Sequence, residues 1–169
     1  MHIRQEHSAD YSEISDLVKQ AFATAPVKDG DEHEYVKRLR ASKKYIPELA
    51  LVAEDNGRLV GHIMLTALPI TVGNSVFTEL LLSPLCVALE HRRTGIGSQL
   101  VAESFQLARA LGYRAVFVVG DTAYYARFGF ACIREYSIAC TSAIPEQFVQ
   151  AHELALGALA GKKGVVSFD

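Results

Sequence analysis

The chain has 169 residues, half of them hydrophobic and 21% charged, which suits one globular domain with a substantial core. A formal net charge of -2 argues against a surface built to grip nucleic acid or anionic lipid. No run approaches the ~20 apolar residues of a membrane helix, and the start Met1-His2-Ile3-Arg4 lacks a signal-peptide core, so a cytoplasmic protein with no membrane partner is the expectation. The three cysteines (Cys86, Cys132, Cys140) lie in apolar or β-branched stretches, as small buried hydrophobes in a reducing compartment would. The histidines show no metal-ligand spacing, so no metal is expected.

In chain order, Asp10 and Glu13 have capping-box spacing ahead of Ile14, Leu17, Val18, Ala21 and Phe22, which form one apolar helix face. Ala25-Pro26 and Asp29-Gly30 break that helix. Asp31 is placed to cap a second helix with Tyr35, Val36 and Leu39 inward and Lys37, Arg38, Arg40, Lys43 and Lys44 outward. The period then changes. Residues 49–54 and 58–68 read as strands joined by Asp55-Asn56-Gly57, a hairpin signal. Residues 77–87 are almost wholly apolar, as in a strand covered on both faces.

Next comes Glu90-His91-Arg92-Arg93-Thr94-Gly95-Ile96-Gly97, then a long helix with Leu100, Ser104, Leu107, Ala108 and Leu111 on one face and Gly112 as terminator. Residues 115–119 form a buried strand closed by Gly120-Asp121; a short helix over 123–128 ends at Gly129, and a strand runs from Phe130 to about Ile138. A short helix after Pro145 and a last strand near 165–168 complete the chain. The pattern predicts an α/β (α+β) class in one layer-packed domain over 1–169, with 139–169 as a C-terminal extension.

The informative junction is strand, Arg92-Arg93-Thr94-Gly95-Ile96-Gly97, helix. Gly95 and Gly97 allow a tight turn that aims several N–H groups at one point, and the helix start adds unpaired amides and a positive dipole end. That is a phosphate or pyrophosphate cradle; a glycine-containing turn with a solvated basic pair fits the hexapeptide equally well. The dinucleotide fingerprint is excluded because position 100 is Leu, and no Gly-Lys-Ser/Thr supplies a P-loop.

Arg-x-x-Gly-x-Gly between an apolar strand and a long helix resembles the acetyl-CoA pyrophosphate motif of the GNAT acetyltransferase superfamily. Ser83-Pro84-Leu85-Cys86-Val87 matches the strand end that lines the pantetheine arm in that family, and Ala123-Tyr124-Tyr125-Ala126-Arg127-Phe128-Gly129-Phe130 is similar to its last helix. The resemblance covers roughly residues 3–138. Gly120-Asp121-Thr122-Ala123-Tyr124-Tyr125 and Tyr45-Ile46-Pro47-Glu48-Leu49 point to the YhbS-like branch.

The resemblance implies a GNAT-like fold, a central, mostly antiparallel mixed sheet of about six or seven strands flanked by about four helices. It implies acetyl-CoA as co-substrate, with a small-molecule or protein amine as acceptor. Amides from Arg93, Thr94, Gly95, Ile96, Gly97 and Ser98 would hold the pyrophosphate, with Arg92 as the cation at the helix entry. Leu85 and Cys86 would offer main chain to the pantetheine, and the Val87 N–H would face the thioester oxygen, a contribution of ~3 kcal/mol to an oxyanion. Tyr125, four residues before Gly129-Phe130, matches the family's general acid. A phenol of pKa about 10 suits a thiolate whose acid has a pKa about 8.5. Tyr124 is the structural neighbour, and Tyr125 as an amphipathic core tyrosine is the bland alternative.

The general base stays unassigned. Glu79 lies on the approach strand, but the family's usual glutamate position is Leu81 here; Ser83, Glu32, His33 and Glu34 are the other candidates. Cys86 as a nucleophile would need a histidine partner and an oxyanion site, and between Leu85 and Val87 a cofactor-facing backbone is the more economical reading; no Gly-x-Ser-x-Gly elbow exists. Three functions remain: direct acetyl transfer to an amine, an acetyl-CoA-binding sensor or partner module, and transfer from another acyl-CoA or to an oxygen acceptor. The resemblance places acceptor choice in the loop 23–31, the connection at Gly73-Asn74 and the C-terminal segment. From Thr141 onward the chain either covers the substrate cleft or supplies a strand to a homodimer.

Overall fold

The structure is a computed structural model that describes every residue of 1–169 except Val27, which lies in the expected acceptor loop. Among the described residues, four helices accompany nine strands, two or three strands more than expected. The chain divides into two compact units, Met1–Thr66 with Ser83–Leu107, and Ala67–Leu82 with Ala108–Asp169.

The first unit begins with β1 (His2–Gln5), antiparallel to β2 (Ala50–Asp55), which is antiparallel to β3 (Arg58–Val72). Sequence periodicity missed β1 because its side chains are exposed or half-buried and carry no apolar alternation. The β2–β3 turn is the expected hairpin: Asn56 and Gly57 both take positive φ (50° and 76°), the twist that a two-residue connection needs. Helices α1 (Tyr11–Ala23) and α2 (Glu32–Arg40) follow β1, and Ile14, Leu17, Val18, Ala21, Val36 and Leu39 form one core with Val52, Met64 and Cys86.

Both expected caps are used otherwise. Asp10 turns back to Arg4 (2.8 and 2.9 Å) and to the His7 N–H (2.7 Å), and Glu13 accepts the Leu59 N–H at 2.8 Å. Asp31 pairs with Arg38 instead of capping α2. Arg40, expected outside, has a side chain only 8% exposed, because Glu6 lies against it.

Strand burial also reverses one expectation. β3 is buried continuously over 59–66, so it is the strand covered on both faces, whereas β4 (Ser75–Val87) is exposed over its first four residues and then alternates. Helix α3 (Ile96–Ala110) buries Ile96, Leu100, Val101, Ser104, Phe105 and Ala108. Leu111 is 48% exposed because the helix stops at Ala110 and Gly112 turns the chain at φ 90°.

In the second unit β4 runs parallel to β5 (Ala115–Val119) through Leu80↔Val116 and Leu81↔Phe117. Helix α4 (Thr122–Ala126) begins one residue before the expected start and stops two residues before the expected end at Phe128. The expected strand to Ile138 is reduced to β6 (Ala131–Cys132), because Ile133–Tyr136 winds into a 3-10 turn; β7 (Ala139–Cys140) follows. The expected helix after Pro145 is a 3-10 turn, Glu146–Phe148. It feeds β8 (Val149–Glu153), a strand the sequence did not reveal, which lies antiparallel between β5 and β6. Finally β9 (Val165–Val166) pairs with Thr71 of β3 and with β7. Residues beyond 139 therefore complete this unit's own sheet, and Leu68, Ile70, Phe117, Ile133, Val149, Ala151, Leu159 and Val166 form its core. Among the described residues no helix is long and apolar enough to cross a membrane.

Candidate active site

In the first unit β4 ends with Leu85, Cys86 and Val87, and the Ala88 N–H donates to the Val60 carbonyl at 2.8 Å. Strand alternation turns Cys86 into the core, 5% exposed, while Leu85 and Val87 stay half-buried on the other face. Burial pushes the Cys86 thiol up to about 12, so it is uncharged at neutral pH and a poor nucleophile.

After a 3-10 turn (Leu89–His91) the chain enters the glycine-containing loop. Arg93 (φ 62°) and Gly95 (φ 87°) are both left-handed, which coils the loop tightly before α3 begins. The ladder of α3 opens with the Gln99 N–H to the Gly95 carbonyl at 3.0 Å; the amides of Ile96, Gly97 and Ser98 precede it, as orphan helix-start donors do. A Cβ built on Gly95 would meet nothing nearer than Gln99 Nε2 at 3.9 Å, so φ demands the glycine and the loop's face stays open. Arg93, Thr94, Gly95 and Ser98 are exposed, whereas the Ile96 side chain is 6% exposed.

Ile96 is seated on a residue that the motif did not flag. A Cβ at Gly61 would stand 2.8 Å from Leu100 Cδ1 and 3.0 Å from Ile96 Cγ2, so the bare backbone of β3 admits the first turns of α3. The signal was an isolated glycine inside a strand pattern, which marks close approach. Arg92 has partners at the end of α1. Its guanidinium donates to the Ala21 carbonyl (2.9 Å) and to Thr24 Oγ1 (3.1 Å), placing a cation at the negative end of α1.

The candidate bases are largely committed. Glu79 accepts the Arg114 and Ala115 N–H groups at 2.9 and 3.0 Å and fixes the start of β5. Glu32 accepts the Asp29 and Gly30 N–H groups (2.7 and 3.1 Å), and Glu34 pairs with Lys37 at 2.7 Å. Ser83 shares a side-chain hydrogen bond with Tyr35, whose phenol burial pushes upward. His33 Nδ1 is buried with no hydrogen-bond partner among the described residues.

A charged cluster of this unit went unforeseen. Glu6, 4% exposed, accepts Arg40 Nε (2.7 Å) and Nη2 (2.9 Å) and the Tyr45 hydroxyl (3.0 Å), and lies 2.9 Å from His62 Nε2. Arg40 and His62 outweigh the cost of burial and hold the Glu6 carboxyl at about 2. Complete burial lowers the pKa of His62, whose neutral Nε2–H tautomer suits its place on the carboxylate. Tyr45 of the Tyr45-Ile46-Pro47 stretch thus has a structural reason.

In the second unit Asp121 caps α4 by accepting the Ala123 N–H at 2.9 Å. Tyr125, half-buried, sets its ring edge-on to Tyr124 (5.0 Å) and Phe130 (5.6 Å), while Arg127 stacks over Tyr124 at 4.5 Å. Gly129 ends the segment at φ 86°. Among the described residues no group of three or more His, Cys, Asp or Glu stands together as a metal site.

An acetyltransferase (GNAT) domain model matches residues 2–133. The chain belongs to the GNAT acetyltransferase family. This acyltransferase is 34% identical over 121 residues to the uncharacterized N-acetyltransferase YhbS of Escherichia coli (strain K12), covering 71% of each chain. It is 30% identical over 142 residues to the uncharacterized N-acetyltransferase YjhQ of the same strain, covering 82% of this chain and 75% of that one. The crystal structure of E. coli YhbS in complex with CoA superposes with a TM-score of 0.87 at 31% identity, over 99% of this chain and 89% of that one. A GNAT acetyltransferase from Brucella melitensis in complex with acetyl-CoA gives 0.78 at 30% identity, over 99% and 95%.

Proposed function

We propose that this GNAT acetyltransferase moves an acetyl group from acetyl-CoA directly onto a primary amine of a small molecule or protein. The observation that carries the reading is the loop with left-handed Arg93 and Gly95, which feeds the open N-terminus of α3 and makes a concave set of N–H donors suited to a pyrophosphate. The CoA and acetyl-CoA complexes of the two similar crystal structures support it.

In this reading the amides of Arg93, Thr94, Gly95, Ile96, Gly97 and Ser98 hold the pyrophosphate, and Arg92 acts from behind by tying the loop to the end of α1. Leu85 and Cys86 present main chain to the pantetheine arm. Acetyl-CoA supplies an activated acyl carbon and a thiolate leaving group. As the amine nitrogen bonds to that carbon, the Val87 N–H meets the developing oxyanion, worth ~3 kcal/mol. The carbon–sulfur bond then breaks, the sulfur takes the Tyr125 phenol proton, and the amine proton leaves to solvent.

Calorimetric titration of the protein with acetyl-CoA, CoA and NADH tests the cradle. Binding of both CoA species without NADH supports it, and no CoA binding overturns it. Thiol release is then followed with acetyl-CoA and spermidine, a lysine-containing peptide and an aminosugar. Tyr125→Phe should lower kcat by at least ~10-fold with acetyl-CoA affinity unchanged; full activity removes the acid role.

A further inference from the structure

Gly120, between β5 and α4, has no positive φ, so its backbone is one that any residue adopts. Its reason is space. A Cβ built there would lie 2.7 Å from Cε2, 3.3 Å from Cδ2 and 3.7 Å from Cζ of Tyr125, one whole edge of the ring up to the carbon that bears the hydroxyl. The ring therefore rests on bare backbone.

That backbone cannot recede. The Gly120 N–H donates to the Phe148 carbonyl at 3.0 Å, and its carbonyl accepts Gln150 Nε2 at 3.1 Å, from a side chain only 1% exposed on β8. The ring cannot easily tilt either. Phe130, 5% exposed, packs edge-on at 5.6 Å, and Tyr124 does so at 5.0 Å. Behind Phe130 the His152 ring stands at 5.7 Å, and its Nδ1 lies 3.1 Å from the Gly129 carbonyl at the end of this segment.

We propose that Gly120 is a positioning residue: the side chain it lacks forms the seat that sets where the Tyr125 hydroxyl stands. The proposal rests on the reading of Tyr125 as the acid. Adding a methyl at Gly120 must move the ring from 2.7 Å to at least the 3.4 Å of ordinary contact, with the hydroxyl at the far end of the lever. Displacements of about 1 Å can cost ~100-fold in rate, so Gly120→Ala is expected to lower kcat by about 10- to 100-fold. Acetyl-CoA affinity is set in the other unit and should stay within about twofold.

Two measurements test it. The first is 19F NMR of protein carrying 3-fluorotyrosine at its seven tyrosines, with the Tyr125 resonance assigned by its loss in Tyr125→Phe. Gly120→Ala should shift that resonance and leave the Tyr35 and Tyr45 resonances in place. The second is kcat with acetyl-CoA and whichever panel amine releases thiol fastest, in a double-mutant cycle. Gly120→Ala should cost its full factor beside Tyr125 and less than about twofold in the Tyr125→Phe background. Equal losses in both backgrounds, or an unmoved resonance with unchanged kcat, overturn the proposal. A shifted resonance together with a fully active Tyr125→Phe sustains the seat and removes the acid role, which separates the two failures. Should Gly120→Ala fail to fold, Gln150→Met removes the donor that holds the Gly120 carbonyl, and the same shift and the same cycle are read.

Discussion

Glu6→Gln isolates the buried charge cluster of the first unit. The carboxylate is an acceptor-only group facing three side chains: Arg40 Nε and the Tyr45 hydroxyl at one oxygen (2.7 and 3.0 Å), Arg40 Nη2 and His62 Nε2 at the other (2.9 and 2.9 Å). Glutamine keeps the volume but replaces one oxygen with a donor, so the Arg40 hydrogen bond at that position becomes donor against donor. It also leaves the Arg40 charge, 8% exposed, without its counter-ion. Breaking one side of a buried pair costs about 3–5 kcal/mol, and the hydrogen bonds that survive put the expectation at the low end, ~3 kcal/mol. With a urea slope of ~2 kcal/mol/M for a chain of this size, the unfolding midpoint should fall by ~1.5 M with the slope unchanged. Urea unfolding followed by circular dichroism reads it. A fall under ~0.3 M would refute the view that Glu6 stabilises this unit. Acetyl-CoA affinity should be unaffected, because the loop is seated on Gly61 and Ile96.

Acid should weaken the same cluster. His62 is held below 6.5 and Glu6 at about 2, so both take up protons more readily unfolded than folded. Stability is then full above about pH 6.5 and falls as pH drops below it, with the Glu6 contribution lost from about 4.5 down toward 2. His62→Gln should flatten the slope of the urea midpoint between pH 6.5 and 5; an unchanged slope would assign it to other groups. Gly97→Glu sets a side chain and a negative charge in the first turn of α3 and should abolish acetyl-CoA binding by calorimetry, whereas unchanged affinity would refute the cradle. Cys86→Ala should keep kcat and lose ~1–2 kcal/mol of stability from the small cavity, and loss of activity in a folded variant would restore a role for the thiol.

Short-range chemistry was legible from residues alone. The face of α1, the positive-φ turn at Asn56-Gly57, the stop at Gly112 and the glycine loop before α3 each depend on spacing or φ within a few residues. The family motif likewise reads through Arg92 to Gly97 and Tyr124 to Phe130 without knowledge of packing. What the tertiary structure decided depends on partners distant in sequence. β8 alternates only over Val149-Gln150-Ala151-His152, too short a run to mark a strand by itself, and is defined by β5 and β6 on either side. Arg40 reads as a surface cation until Glu6, thirty-four positions away, is found beside it. The sequence offers Arg92 as the cation at the helix entry, and only the fold shows its guanidinium on the Ala21 carbonyl at the end of α1. Gly61 shows locally only as an isolated glycine in a strand pattern and Gly120 not even that, since what a missing side chain admits is known only once Ile96 or Tyr125 is found against it. Dihedral preference and periodicity are properties of neighbours in the chain, whereas burial, pairing and contact are properties of neighbours in space.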